Sequence, residues 1–181
     1  MPTYGEIIHN HVSGFKLKWL ETSKDTNGKL VKLEMWVDPN GFMPVRHLHP
    51  RQTETFEVKA GILKIECAGD IIILEPGDSF TVPMGKPHQW WNEADDEELN
   101  MVCTMEPGYK FDLMMEQMFG ILNTTGKLSF WQVMAMSKEY DMYVAGPPIF
   151  LQNMMRTVLA PVANVMGYKK YYPEHSEKPK T

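Results

Sequence analysis

His47 and His49 stand two residues apart, Glu54 follows after four more, and His88 comes later in the chain. Imidazole nitrogen and carboxylate oxygen form a donor set that suits Fe, Mn, Ni, Cu or Zn, and two imidazoles on one face can chelate a single ion. In an extended strand, side chains at i and i+2 share a face. His47 and His49 therefore point one way, while Arg46 and Leu48 point the other. An isolated H-x-H is a weak signal. His9 and His11 form a second one, read here as part of a polar N-terminal segment. Taken singly, His88 reads as a hydrogen-bonded core histidine and Glu54 as a solvated edge residue. Glu57 competes with Glu54 as a carboxylate donor, but its odd offset from Glu54 turns it to the opposite face of a regular strand.

The frame around these residues carries more weight. Five residues separate Gly41 from His47, and six separate Glu54 from Gly61. A second block runs Gly77, five residues, Pro83-x-Gly85, two residues, His88, three residues, Asn92. The two blocks resemble the paired cupin motifs, G-x5-H-x-H-x3,4-E-x6-G and G-x5-P-x-G-x2-H-x3-N, at every fixed position. The resemblance covers residues 41–92 closely and about 15–106 by strand pattern; it says nothing specific of 107–181. It implies a mostly β fold, a double-stranded β-helix of the jelly-roll kind, whose interior is lined by His47, His49, Glu54 and His88. It also implies one divalent transition metal on those four residues, a structural role for Asn92, and a homodimer, since cupins commonly pair. Cupins include oxygenases, isomerases, lyases and decarboxylases as well as binding and sensor modules, and the motifs do not separate them. A structural ion with an interaction role for the C-terminal part is a third reading.

A divalent ion held by one carboxylate keeps about one net positive charge by formal count, which suits a small anionic ligand. A small barrel has room for only one such ligand. Phe42, Met84 and Trp90 are the expected apolar lining of that pocket. No G-x-S-x-G elbow, Gly-rich phosphate loop or activated cysteine offers a competing site.

The elements that must position these groups read as β up to residue 106. Segments 15–20 and 30–37 alternate apolar and polar, as half-buried strands do. Between them Asn27-Gly28 fits the positive φ angles of a hairpin turn. Further strands are predicted at 53–59, 62–68, 71–75, 79–83, 87–92 and 99–105, with turn residues between them. Many short strands at close spacing point to a barrel or sandwich. The acidic run 92–98 reads as a solvated loop.

Residues 107–181 read as a helical extension packed on the barrel or on a dimer partner, and are expected to cap the barrel mouth. Helices are predicted near 110–122, from a cap at Ser129 with Gln132 three residues on, and after Pro148, with Gly167 as a stop. Pro161 is expected to kink or divide the third. Nine of the 15 methionines fall between 114 and 166, which marks an adaptable apolar layer. The tail is expected to fray after Tyr172.

Composition bounds the rest. The chain has 181 residues, 43% hydrophobic and 23% charged, enough for one ordinary domain with an extension. Its net charge of −5 and the absence of a Lys/Arg stripe argue against nucleic-acid binding. Residues 148–167 are apolar enough in length to raise a membrane span, but Gln152, Asn153, Arg156, Pro161 and Asn164 favour a buried or interfacial helix. No basic n-region with an apolar run opens the chain, so a cytoplasmic location with reduced Cys67 and Cys103 is expected, a single disulfide between them staying open.

Overall fold

The computed structural model describes residues 2–43, 45–137 and 139–176. Eleven strands and three helices follow in chain order: β1 (Ile7–Asn10), β2 (Phe15–Glu21), β3 (Val31–Val37), β4 (His47–Leu48), β5 (Thr53–Ala60), β6 (Leu63–Cys67), β7 (Asp70–Leu74), β8 (Ser79–Val82), β9 (His88–Asn92), β10 (Leu99–Glu106), α1 (Phe111–Thr125), α2 (Phe130–Met136), β11 (Tyr143–Val144) and α3 (Ile149–Val165). The strands form two antiparallel sheets. One has six strands in the order β1-β2-β3-β10-β5-β8, the other five in the order β11-β4-β9-β6-β7. This is the mostly β, two-sheet jelly roll with a helical C-terminal extension that the sequence implied.

Alternation decides which residues fill the space between the sheets. In β3, Val31, Leu33, Met35 and Val37 are buried while the residues between them are partly exposed, and β2, β6 and β9 follow the same rule. The resulting core holds Phe15, Leu17, Trp19, Leu33, Phe56, Leu63, Ile65, Trp90, Met101 and Met105. Gly61 turns the chain from β5 into β6 at φ +76°, and a Cβ there would sit 2.9 Å from the carbonyl oxygen of Glu98. A side chain at this position would meet strain and overlap together.

The extension is built into the barrel. Phe111, Met114, Met115 and Phe119 of α1 join the barrel core, and the Phe119 ring packs edge-on against Phe15 at 5.1 Å. The Asp112 carboxylate accepts from the backbone N–H and hydroxyl of Ser23 at 2.8 and 2.9 Å, tying the start of α1 to the β2–β3 connection. Ser129 caps α2 by accepting from the Gln132 N–H at 3.1 Å, as expected. Strand β11 pairs with β4 and thereby extends the second sheet with residues from the far end of the chain.

Three expectations need correction. His9 and Asn10 belong to an edge strand, β1, rather than to a polar leader. Pro161, expected to kink or divide the third helix, does not divide it: α3 runs from Ile149 to Val165. Ala160 and Ala163, on either side of that proline, are both buried, so packing on the neighbouring helix outweighs the lost hydrogen bond. The tail stays ordered past Tyr172, forming a single 3-10 turn at Pro173–His175. Gln117 donates to the Tyr172 carbonyl at 3.0 Å and accepts from the Tyr172 N–H at 2.7 Å. The His175 ring lies over Gly120, where a Cβ would approach it to 2.2 Å. Residues 177–181, the rest of that expected frayed end, lie outside the described residues.

Among the described residues no helix is long and apolar enough to cross a membrane. Cys67 and Cys103 are separate free thiols. The outer face of α3 carries Phe150, Met154, Val158 and Val162, all exposed and spaced four residues apart. The methionine-rich region thus divides between core-facing residues on α1 and α2 and outward-facing ones on α3.

Two stability predictions follow from this packing. Gly61→Ala should destabilise the fold by about 1–2 kcal/mol, read as a lower urea midpoint with unchanged slope. Glu116, buried on α1 with Oε2 lacking a hydrogen-bond partner, has its pKa raised by burial from 4.5 to about 7. The folded state therefore holds a proton that the unfolded state has released, and stability declines from about pH 4.5 to 7. Glu116→Gln removes that decline, so its gain in thermal midpoint over the parent should be larger at pH 8 than at pH 5.

Candidate metal centre

β4 and β9 are neighbours, and their register sets His47 directly opposite His88. His49 lies just past the end of β4, yet its ring stays on the same side, with centroids 5.0 Å from His47 and 5.7 Å from His88. Glu54 comes from the other sheet. The alternation of β5 turns Glu54, Phe56 and Val58 inward and leaves Glu57 exposed, so the competing carboxylate is remote from the cluster. One ligating atom from each of His47, His49, Glu54 and His88 lies within 4.8 Å of the others, and all four residues are buried. His9 and His11 join no such cluster among the described residues.

Hydrogen bonds set the tautomers. Nδ1 of His47 contacts the carbonyl oxygen of Val45 at 2.9 Å, that of His88 the carbonyl of Lys86 at 3.0 Å, and that of His49 the carbonyl of Asp141 at 3.0 Å. A carbonyl oxygen only accepts, so each Nδ1 carries its hydrogen and each Nε2 faces the cluster. This is the arrangement that orients imidazoles as metal ligands. Nε2 of His49 is buried without a hydrogen-bond partner and lies 3.9 Å from Glu54 Oε2. Nε2 of His88 donates to the same oxygen at 2.7 Å, and the Cys103 thiol donates to Glu54 Oε1 at 3.4 Å.

The electrostatics match this geometry. Burial, with the neighbouring imidazoles, lowers His47 to about 3 and also lowers His49, so both are neutral donors. Burial alone would raise Glu54, but the His88 hydrogen bond and the surrounding imidazoles outweigh it and bring the carboxyl to about 2. Burial opposes charge on His88, but the Glu54 carboxylate overrides it and raises that pKa. Once His88 gives up the Nε2 proton that it holds against Glu54, three neutral imidazoles and one ionised carboxylate, with the orphaned His49 nitrogen among them, fit a divalent transition metal. Asn92 lies apart from this function: its amide donates to the carbonyls of Val37, Asp38 and Glu97, and its oxygen caps Ala94, which fixes the turn that follows β9.

A cavity of about 340 Å³ reaches His49 from outside. Its lining includes Arg51, Gln52, Tyr109, Phe111, Tyr140 and Asp141, so one wall is barrel and the other is extension. Tyr109 holds a positive φ of 43°, and the Arg51 guanidinium lies 5.3 Å above its ring. None of Phe42, Met84 and Trp90, the expected lining, borders this cavity. Phe42 and Met84 are exposed elsewhere on the surface, and Trp90 is buried in the core between Phe15 and Phe56. Apart from His49, the residues that border it stand at variable positions of the first motif (Arg51, Gln52) or come from the extension, and the positive φ of a tyrosine is not visible in sequence.

Removing a donor should empty the centre. Elemental analysis of purified protein is expected to find about one transition-metal equivalent per chain for the parent and a small fraction of that for His47→Ala and His88→Ala. Undiminished metal in both variants would falsify the assignment of these ligands.

Comparison with known proteins agrees with the barrel. Residues 33–105 match the family described as Cupin domain. Among curated proteins, the chain is 27% identical over 154 residues to the epoxidase atD of Aspergillus terreus, an alignment covering 76% of this chain and 48% of that protein. The chain thus spans about half the length of the curated relative it matches. Among solved structures, an RmlC-like cupin from Shewanella frigidimarina superposes with a TM-score of 0.50 at 22% identity, covering 60% of this chain and 88% of that one. A predicted oxalate decarboxylase from Thermotoga maritima gives a TM-score of 0.50 at 18% identity, covering 57% and 91%. Likeness at these identities speaks for the fold alone. The matched residues include all four members of the histidine–glutamate cluster and most of the barrel strands, so this part of the chain is a cupin-type barrel.

Proposed function

We propose that the chain is a metal-dependent enzyme that binds one divalent transition ion through His47, His49, Glu54 and His88 and acts on a small organic anion. The convergence of four buried ligating atoms within 4.8 Å carries this reading. When bound, such an ion supplies Lewis acidity toward an anionic oxygen and, in the case of Fe, Mn or Cu, redox chemistry with dioxygen. The chain's own residues do the remaining work. The two sheets bury all four donors, and the cavity beside His49 offers a substrate a route toward them. Phe111, whose ring lies 6.2 Å from that of His49, and the half-buried Tyr140 offer apolar contact to a ring-bearing substrate. The cavity wall is balanced in charge, Arg51 against Asp141 and Lys110 against Glu139, so attraction for an anionic group would come from the ion itself.

Of the reaction classes open to cupins, oxygen-dependent chemistry is favoured over isomerisation or lysis by the likeness to a protein named as an epoxidase. A ligand-binding module without turnover is the alternative; a cavity that leads from solvent to a ligating histidine fits either.

Oxygen uptake separates these readings. Iron-loaded protein is to be offered catechols, diketones, flavonols and keto acids in an oxygen electrode, with substrate loss followed in parallel. The expected result is uptake matched to the loss of at least one substrate and abolished, by more than about 100-fold, in His88→Ala. Substrate loss without oxygen uptake would place the protein among isomerases or lyases. Tight binding of a panel member with no loss would establish the binding module.

A further inference from the structure

We propose that Asp141 is a positioning residue of the metal centre, supplied to the barrel by the helical extension. The inference rests on reading His49 as a ligand. His47 and His88 each receive their Nδ1 acceptor from the backbone two residues earlier, Val45 and Lys86. Those bonds come with the local chain. His49 differs. It lies just beyond β4, and its Nδ1–H donates to the carbonyl of Asp141, 92 residues further on. Its free rotation is therefore restrained by a residue that neither motif contains.

The Asp141 carbonyl is itself held in place. The Asp141 carboxylate is buried and accepts two hydrogen bonds from Arg51, the backbone N–H to Oδ2 at 3.0 Å and Nε to Oδ1 at 2.8 Å, with a terminal guanidinium nitrogen in ion-pair contact with Oδ1 at 2.8 Å. Arg51 is two residues from His49, so side chain and carbonyl of one aspartate clamp both ends of the segment His49–Pro50–Arg51. On the next residues, Arg156 donates to the Met142 carbonyl at 2.8 Å, and Tyr143 pairs with Leu48 across the β11–β4 ladder. These outer attachments set where the strand runs. The Asp141 carboxylate sets which way its carbonyl faces. Loss of the carboxylate leaves the strand in place, lets the carbonyl swing and frees the His49 ring to turn its Nε2 away from the cluster.

Hydrogen-bond partners of ligating imidazoles change metal affinity by roughly 10- to 100-fold when removed. The test uses the full chain and Co(II) as probe. Affinity is read by competition with a chelating indicator and site symmetry by the visible absorption of the Co(II) form. Asp141→Ala should weaken Co(II) binding by roughly 10-fold or more and shift the visible bands. Asp141→Asn keeps an acceptor for Arg51 and should recover most of the affinity and the parental spectrum. Arg51→Ala should fall between the two. Thermal unfolding without metal shows that each variant is folded; should Asp141→Ala fail to fold, Arg51→Ala carries the test. A folded Asp141→Ala whose affinity lies within twofold of the parent, with the same spectrum, overturns the proposal while leaving the metal site intact. Weaker binding with an unshifted spectrum and no recovery in Asp141→Asn also overturns it, since that pattern belongs to general loosening. A parent protein that binds no Co(II) overturns the metal reading and this proposal together.

Discussion

Four buried donor groups facing one another across two sheets are the constraint on which the rest of this structure turns. Three imidazoles stand on the β4–β9 side and one carboxylate on β5. Burying such groups in an apolar barrel is costly unless each finds a partner. The protein meets that demand with backbone carbonyls on all three Nδ1 atoms, a thiol on Glu54 Oε1 and a proton shared between His88 and Glu54. What stays unmet is His49 Nε2. The geometry therefore has a direction: every group is satisfied on its outer side, and the unsatisfied capacity points inward to one place. A core selected for stability alone would place apolar side chains here, because a half-satisfied polar cluster is worse than none.

The same constraint explains the extension. A small barrel can hold a cluster of this kind but is open at one end, and its short strand β4 stops before His49. The extension closes that gap three times over. It lays Phe111 and Met114 of α1 against the core, adds β11 beside β4, and brings the Asp141 carbonyl to His49. The cavity that leads to His49 exists because barrel and extension each supply one of its walls. The walls of that cavity are thus drawn from residues 109–114 and 139–141 as well as from the first motif segment.

How much of this the sequence discloses follows from the range of each interaction. The strands were legible because alternation reports a local property, which side of a strand meets the core. His47, His49, Glu54 and His88 were legible because their roles depend on short fixed spacings. β1 was not, because His9 and Asn10 pair at a sheet edge without an apolar alternation to announce it. That Pro161 leaves the third helix undivided was not legible, because the penalty for proline is local, whereas the burial of Ala160 and Ala163 that offsets it is tertiary. The docking of the tail on Gln117 and Gly120 was hidden for the same reason. Phe42, Met84 and Trp90 lie within the motif span, but Phe42 and Met84 stand on the surface and the alternation of β9 turns Trp90 into the apolar core. Asp141 lay beyond reach altogether. It acts on His49 through a backbone carbonyl, which every residue possesses, and across 92 positions of chain.

This division bears on how chemistry can differ among proteins that share the barrel. The cluster is made by local rules and reproduces wherever the motifs recur, so it fixes what kind of ion can be held and little else. The cavity and the restraint on His49 are made in part by contacts from outside the motifs, and those are free to vary while the barrel stays the same. The two solved structures described above cover 57–60% of this chain. The far wall of the cavity and the carbonyl that holds His49 both come from beyond residue 106. A change of reaction on this scaffold thus requires no new ligands, only a different wall opposite Tyr109 and Phe111 and a different hold on one imidazole.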